Sequence, residues 1–197
     1  MAEKASESVH DEVRAAIAAG AYQQALELLA HAYVDTVYRY CCRMLRGDTG
    51  RARDVTQQVY EEACKGIVGF RGASSAKTWL LAIARNQCLK EIVVHERHSD
   101  LLHMHRADLA RRVHAEPSWG SEADVLSQDG LRRLQWALDQ LEPEERSLLI
   151  MRFGVGVPNE LSVEEMATIL GLSRASAYRK LKEALARLRR IVHEDAI

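Results

Sequence analysis

The sequence predicts an all-α protein: two small helical domains joined by a flexible linker, the C-terminal one containing a helix-turn-helix. Three observations predict it. Ala, Leu, Arg and Glu dominate and only three of 197 residues are proline, which favours helix throughout. Apolar residues recur at spacings of three and four in two separate blocks. Between the blocks, residues 98–130 lose that period and carry the breaker cluster Pro117-Ser118-Trp119-Gly120-Ser121. The hydrophobic share of 47% suffices for a buried core in each block.

The elements follow in chain order. Ser8 with Asp11 reads as a capping-box-like start for a helix carrying Val9, Val13, Ala16 and Ile17, stopped by Gly20. A long helix spans roughly Tyr22 to Leu45, with Leu26, Leu29, Tyr33, Val37, Tyr40 and Met44 on one stripe. The next runs from about Arg51 to Val68 and presents Val55, Val59, Ala63 and Ile67. Gly69 to Ser75 is a loop, and Ser75 caps a helix to about Glu96 whose inward residues are Trp79, Ile83 and Leu89. A weak helix is expected at Ala107–Val113. From Leu131 the period returns as Leu131, Leu134, Leu138 and Leu141; Pro143 suits a first helical turn, and Leu148 to Phe153 continue the core until Gly154. The implied organisation is an N-terminal extension (1–20), a first domain (21–97), a linker (98–130) and a second domain (131–197). The extension looks faintly like a single helical-repeat unit. One unit cannot bury its own face, so a helix added to the first domain is expected.

Charge is uneven beneath a net −1: the two domains carry +3 and +1, the linker −3 and the extension −2. A nucleic-acid binder needs a local basic face, not a basic total. No apolar stretch approaches a membrane span and no signal peptide is visible, so a cytoplasmic protein with no membrane insertion is expected. Cys41, Cys42, Cys64 and Cys88 fit neither a disulfide framework nor a zinc site and are expected to be reduced. Five of eight histidines lie between His95 and His114, with no cysteine pair or His-Glu-x-x-His pattern beside His98, His103 and His105, so no metal is expected.

The C-terminal motif is the sharpest. Ser162-Val163-Glu164-Glu165 is a capping box opening a short helix, Gly171 fits a left-handed turn, and Ser173 caps a second helix to about Ile191. Small Ala167 and Ala177 allow the two helices to approach. Ala177, Leu181, Leu185, Leu188 and Val192 form its apolar stripe; Arg174, Arg179, Lys180, Lys182, Arg187, Arg189 and Arg190 form a basic face. A helix of this kind enters the major groove with its N-terminal residues at base edges, which selects Arg174, Ser176, Tyr178, Arg179 and Lys182 for DNA contact. In the first domain, Phe70 to Trp79 joins a basic, glycine-bearing loop to an aromatic helix start, a design suited to holding an unstacked base. Trp79 shares a face with Ile83 and equally suits core packing.

Here the sequence resembles a known family. Arg53-Asp54-Val55-Thr56-Gln57-Gln58-Val59-Tyr60, the Phe70–Trp79 loop and Ile83-Ala84-Arg85-Asn86 look like the first domain of extracytoplasmic-function (ECF) sigma factors of the sigma-70 family. Ala137 to Leu141, Leu148 to Phe153 and the helix-turn-helix look like their second domain. The resemblance implies a bacterial transcription initiation factor that binds core RNA polymerase and recognises promoter DNA, without catalysis or cofactor. It implies polymerase docking at Asp54, Gln57 and Gln58. It implies contact with the −10 element by Arg71, Ser74, Ser75, Lys77, Thr78, Trp79, Arg85 and Asn86, and reading of the −35 element by the helix-turn-helix. An anti-sigma factor is a candidate partner. The chain departs from the pattern at Ala76 and Ala82, where many relatives carry an aromatic and an arginine, and at Lys90 to Arg97, where a basic run is thinned. The loop Gly154–Leu161 is longer than the group's usual one. Two rivals stand beside this reading: a helix-turn-helix regulator that does not bind polymerase, and a degenerate sigma fold that sequesters a partner.

Overall fold

The computed structural model describes residues 2–103, 128–154 and 160–194, with side chains for 9–97, 134–154 and 160–192. Eight α-helices are described: α1 (Ala2–Ala18), α2 (Tyr22–Met44), α3 (Thr49–Gly66), α4 (Ala76–His103), α5 (Gln128–Asp139), α6 (Pro143–Phe153), α7 (Val163–Leu170) and α8 (Arg174–Glu194). A single 3-10 turn, Ile67–Gly69, follows α3. No strand is present among the described residues.

Helices α1 to α4 form the first bundle. Leu29, Tyr33, Val37, Tyr40 and Met44 of α2 are buried, as are Val55, Val59, Ala63 and Ile67, so both stripes face the core as their spacing requires. Asp48 opens α3 by accepting the Arg51 amide at 3.1 Å. Helix α1 begins at Ala2, so Ser8 lies inside it rather than capping it; Glu3, Lys4 and Ala5 are good helix formers, and no breaker stops the helix growing backwards. It docks through Val13 and Ala16, both buried.

Helix α4 presents a face one residue round from the expected one. Ala76, Leu80, Ala84 and Cys88 are fully buried, and Trp79, Ile83 and Leu89 sit at the rim of the core. Small residues let α4 approach α2 and α3 closely, and the larger ones close the edges. The helix also continues past Glu96 to His103, since no proline or glycine interrupts it there. Arg51 of α3 pins it through Glu91, Nε to Oε1 at 2.9 Å. The expected helix at Ala107–Val113, the breaker cluster and the side chains of His98, His103 and His105 lie outside the described residues.

In the second half, Leu138, Leu141, Leu148, Leu149, Ile150 and Met151 are buried, whereas Phe153, in the last turn of α6, is half-exposed. Leu161 donates its amide to the Met151 carbonyl at 2.9 Å, and Arg152 donates to the Leu161 carbonyl at 3.2 Å. The ends of the 154–161 loop are thereby held together. Val192, expected on the α8 stripe, is exposed near the C-terminal end of that helix.

The two halves are in contact. Their buried residues form one continuous cluster. Across the seam, Tyr40 and Ser147 share a buried hydrogen bond of 2.8 Å, and Arg43 donates to Gln135. Arg146 is the largest fully buried side chain among the described residues. Its guanidinium donates to Met44 O at 2.8 Å, Leu138 O at 3.1 Å and Leu141 O at 3.2 Å. These carbonyls belong to the C-terminal ends of α2 and α5 and the turn after α5, where acceptors lack intrahelical partners and a cation is favoured. Burial lowers the pKa of this guanidinium, and Asp139 among its neighbours pulls the other way.

Candidate nucleic-acid interface

The helix-turn-helix is built as its sequence predicts. Ser162 Oγ accepts the Glu165 amide at 3.2 Å and the Glu165 carboxylate accepts the Ser162 amide at 2.8 Å, closing a reciprocal capping box. Gly171 ends α7 at φ +62°, the left-handed region that favours glycine. Ser173 Oγ then accepts the Ser176 amide at 3.2 Å and starts α8. Met166, Ala167, Ala177, Leu181 and Ala184 are buried where the helices meet the core.

The outward face of α8 is free for a partner. Arg174, Tyr178, Arg179 and Lys182 are exposed, and Ser176 is half-buried beside Ser173. Tyr178 is 55% exposed, too much for a core aromatic. Arg174 pairs with Glu164 at 2.8 Å, which steers the guanidinium along α7; as a solvated pair it contributes little to stability. Arg187 is turned toward Glu145 of α6 at 3.2 Å, so part of the basic face is spent inside the domain. Arg179 and Lys182 have no ion pair among the described residues.

The loop between the 3-10 turn and α4 is held at both ends. Ser75 Oγ accepts the Thr78 amide at 3.0 Å, and His10 of α1 accepts the Ala76 amide through Nδ1 at 3.2 Å. Two of the free amides at the start of α4 are thereby satisfied. The His10 ring meets Phe70 edge-on at 6.2 Å, and Phe70 meets Trp79 at 5.0 Å and 46°. Gly72, at φ +70°, passes so near Arg14 that a Cβ there would lie 2.9 Å from its Cδ. The left-handed φ, rather than the approach to the flexible Arg14 side chain, explains why a glycine stands in this loop. Ala76 is completely buried.

The expected loop residues divide. Arg71 and Asn86 are exposed; Ser74, Ser75, Trp79 and Arg85 are half-buried. Arg85 Nε is buried with no hydrogen-bond partner among the described residues. Lys77 is 8% exposed and Thr78 only 1%. Thr78 Oγ1 lies 2.7 Å from Ser75 Oγ and donates to Glu165 Oε1 at 3.0 Å. Burial lowers the Lys77 pKa below the ordinary lysine range, and the Glu165 charge partly restores it. These two loop residues are therefore covered by α7 in this arrangement. Asp54, Gln57 and Gln58 of α3 are all exposed, and Gln57 reaches Glu61 at 2.8 Å.

His10, Arg146 and Glu165 do this organising work, and the sequence did not single out the first two. A signal existed for Arg146, a cation separated from the apolar run Leu148–Met151 by Ser147 alone. His10 carried none, because its partner lies 66 positions away.

Fold and surface together define a helix-turn-helix DNA-binding protein with a second helical domain. Models of two conserved regions match it: Sigma-70 region 2 over residues 29–98 and Sigma-70, region 4 over residues 137–190. The ECF RNA polymerase sigma factor SigX of Bacillus subtilis is 27% identical over 164 residues, covering 78% of this chain and 76% of SigX. RNA polymerase sigma factor YlaC of the same organism is 26% identical, covering 86% of this chain and 92% of YlaC. The fold is similar to that of the sigma factor RpoE solved with the anti-sigma factor NepR from Bartonella quintana, with a TM-score of 0.61 at 19% identity, covering 87% of this chain and 96% of that one. The chain belongs to the sigma-70 family, in its extracytoplasmic-function group.

Proposed function

We propose that this chain binds core RNA polymerase through α3 and directs it to promoters with two DNA-reading surfaces. Asp54, Gln57 and Gln58 make the polymerase contact. The loop from Arg71 to Thr78, with Trp79, Arg85 and Asn86, holds a nucleotide extruded from the −10 element. Arg174, Ser176, Tyr178, Arg179 and Lys182 read the −35 element in the major groove. Residues 21–97 and 131–197 act as the two working domains and 98–130 as their connection, in the bacterial cytoplasm. An anti-sigma factor is a candidate regulator.

The observation that carries this reading is the cationic face of α8, with Tyr178 and Arg179 exposed, in a chain that also matches the sigma-70 region 2 model. Base capture supplies the energetic logic. Unstacking costs about 1.4 kcal/mol per step on average, and a pocket that takes only the extruded base offsets that cost at the promoter alone.

Co-purification with core polymerase tests the docking claim. Wild type is expected to be retained, and Asp54→Arg with Gln58→Arg to lose retention while keeping its helical content. A chain that binds duplex DNA but never polymerase would instead be a helix-turn-helix regulator.

A further inference from the structure

We propose that Arg14 of α1 binds a backbone phosphate of the single strand held at the −10 loop, which makes α1 one wall of that site. The identity of the ligand rests on the loop assignment made above, and the experiment below separates the two.

Helix α1 meets the loop through two side chains about one turn apart. His10 accepts the Ala76 amide through Nδ1 at 3.2 Å and sets its ring edge-on to Phe70 at 6.2 Å. Arg14 stands four residues on, and so on the same face of the helix. Its stem crosses the loop backbone at Gly72, where a Cβ would lie 2.9 Å from both Cδ and Nε. A stem laid on a neighbour is ordinary for arginine; the charged head then needs water or an anion. Arg14 is exposed and has no ion pair among the described residues, Asp11 one turn back on α1 included.

The loop's own cations fall short of the task. Of the two between Arg71 and Thr78, Lys77 is buried, which leaves Arg71. Further along α4, residues 90–97 carry two basic and two acidic groups, so that stretch adds no net charge. Arg71 is exposed and, like Arg14, has no ion pair among the described residues. Two like charges gathered at one loop repel each other until an anion joins them. A nucleotide whose base turns toward Ser74 and Ser75 leaves its phosphate on the outer side of the loop. A planar guanidinium meets a phosphate there with two parallel hydrogen bonds. His10 is a positioning residue in this scheme: it fixes the start of α4, and with it the loop, against the helix that carries Arg14.

The test uses holoenzyme reconstituted from the full chain and core polymerase. Its probe is a fluorescein-labelled single strand copying the downstream promoter element found by start-site mapping. Anisotropy titrations give the dissociation constant across a range of salt. Arg14→Ala is expected to weaken binding about tenfold at low salt, the lower end for a hydrogen bond between charged groups. Each phosphate contact to a single strand adds about 0.7 to the slope of log affinity against log salt, so the slope should flatten by about that much. The deficit of the variant should accordingly shrink about two- to threefold as salt rises from about 50 to about 200 mM. Arg14→Lys should keep the slope and recover part of the affinity. His10 acts as an acceptor and carries no charge in that role, so His10→Ala should weaken binding at an unchanged slope. His10→Asn, whose Oδ1 can take the place of Nδ1, should restore it. A neutral methylphosphonate placed at successive linkages of the strand locates the contact: at one linkage it should cost the wild type affinity and cost Arg14→Ala nothing further. Equal binding by wild type and Arg14→Ala, a loss at unchanged slope, or additive losses at every linkage would overturn the role of Arg14 and leave the loop assignment standing. A wild-type holoenzyme that does not retain the strand would overturn the loop assignment and, with it, this inference.

Discussion

Replacing Arg146 by methionine should cost the protein a substantial part of its stability. Methionine keeps an unbranched stem and removes the guanidinium. That group is 2% exposed and donates three hydrogen bonds, to Met44 O, Leu138 O and Leu141 O. A hydrogen bond to a charged group is worth about 1.5–3 kcal/mol, so the three together are worth roughly 5–9 kcal/mol. Against this stands the effective penalty of burying one cation, several kcal/mol, which the substitution relieves. The difference leaves about 2–4 kcal/mol of destabilisation. Urea unfolding followed by far-ultraviolet circular dichroism reads this directly. With an m-value of about 2 kcal/mol/M the midpoint should fall by about 1–2 M. Arg146→Lys should recover little, because a single ammonium cannot match the planar fork that reaches three carbonyls. A midpoint within about 0.2 M of wild type would refute the reasoning, since it would mean water satisfies those carbonyls equally well.

Three further outcomes are expected. Arg179→Ala should weaken recognition of the upstream promoter element by about 1–3 kcal/mol, measured by titration with duplex DNA, without changing retention on core polymerase; equal loss of both would point to misfolding. Gly171→Val should cost about 1–2 kcal/mol because φ is +62° there, whereas Gly171→Asn should be nearly neutral, since no atom lies within 4 Å of the added Cβ and asparagine tolerates the left-handed region; thermal melts of the two variants decide it. A thiol reagent should label Cys64 first, because it alone of the four cysteines is exposed. Burial raises the Cys42 thiol, and a hydrogen bond with Cys41 together with burial raises Cys88, so both hold less reactive thiolate. Early labelling of Cys88 would contradict the packing of α2 on α4.

Local rules carried most of the fold. The α3 stripe, the Ser75, Ser162 and Ser173 caps, Pro143 in the first turn of α6 and the left-handed Gly171 all follow from spacing and backbone chemistry within a few residues. The face of α4 is offset because bulk marks the interior only where helices keep their distance. The observed interior line is the small set Ala76, Ala84 and Cys88 with Leu80, chosen by close helix approach, which periodicity alone does not reveal. The site was half legible for the same reason. The outward residues of α8 and α3 could be placed from their own helices. The covering of Lys77 and Thr78 could not, because Glu165 lies 87 positions from Thr78 and its local role is that of a helix cap. Nothing in a helical period reports that one carboxylate serves two elements.

Transcription in vitro with purified core polymerase, followed by mapping of the RNA start sites, tests most directly whether this chain delivers polymerase to promoters. Discrete starts at a common distance downstream of a shared pair of sequence elements are expected with wild type and are expected to vanish with Asp54→Arg/Gln58→Arg. Scattered starts no different from those of core polymerase alone would contradict it.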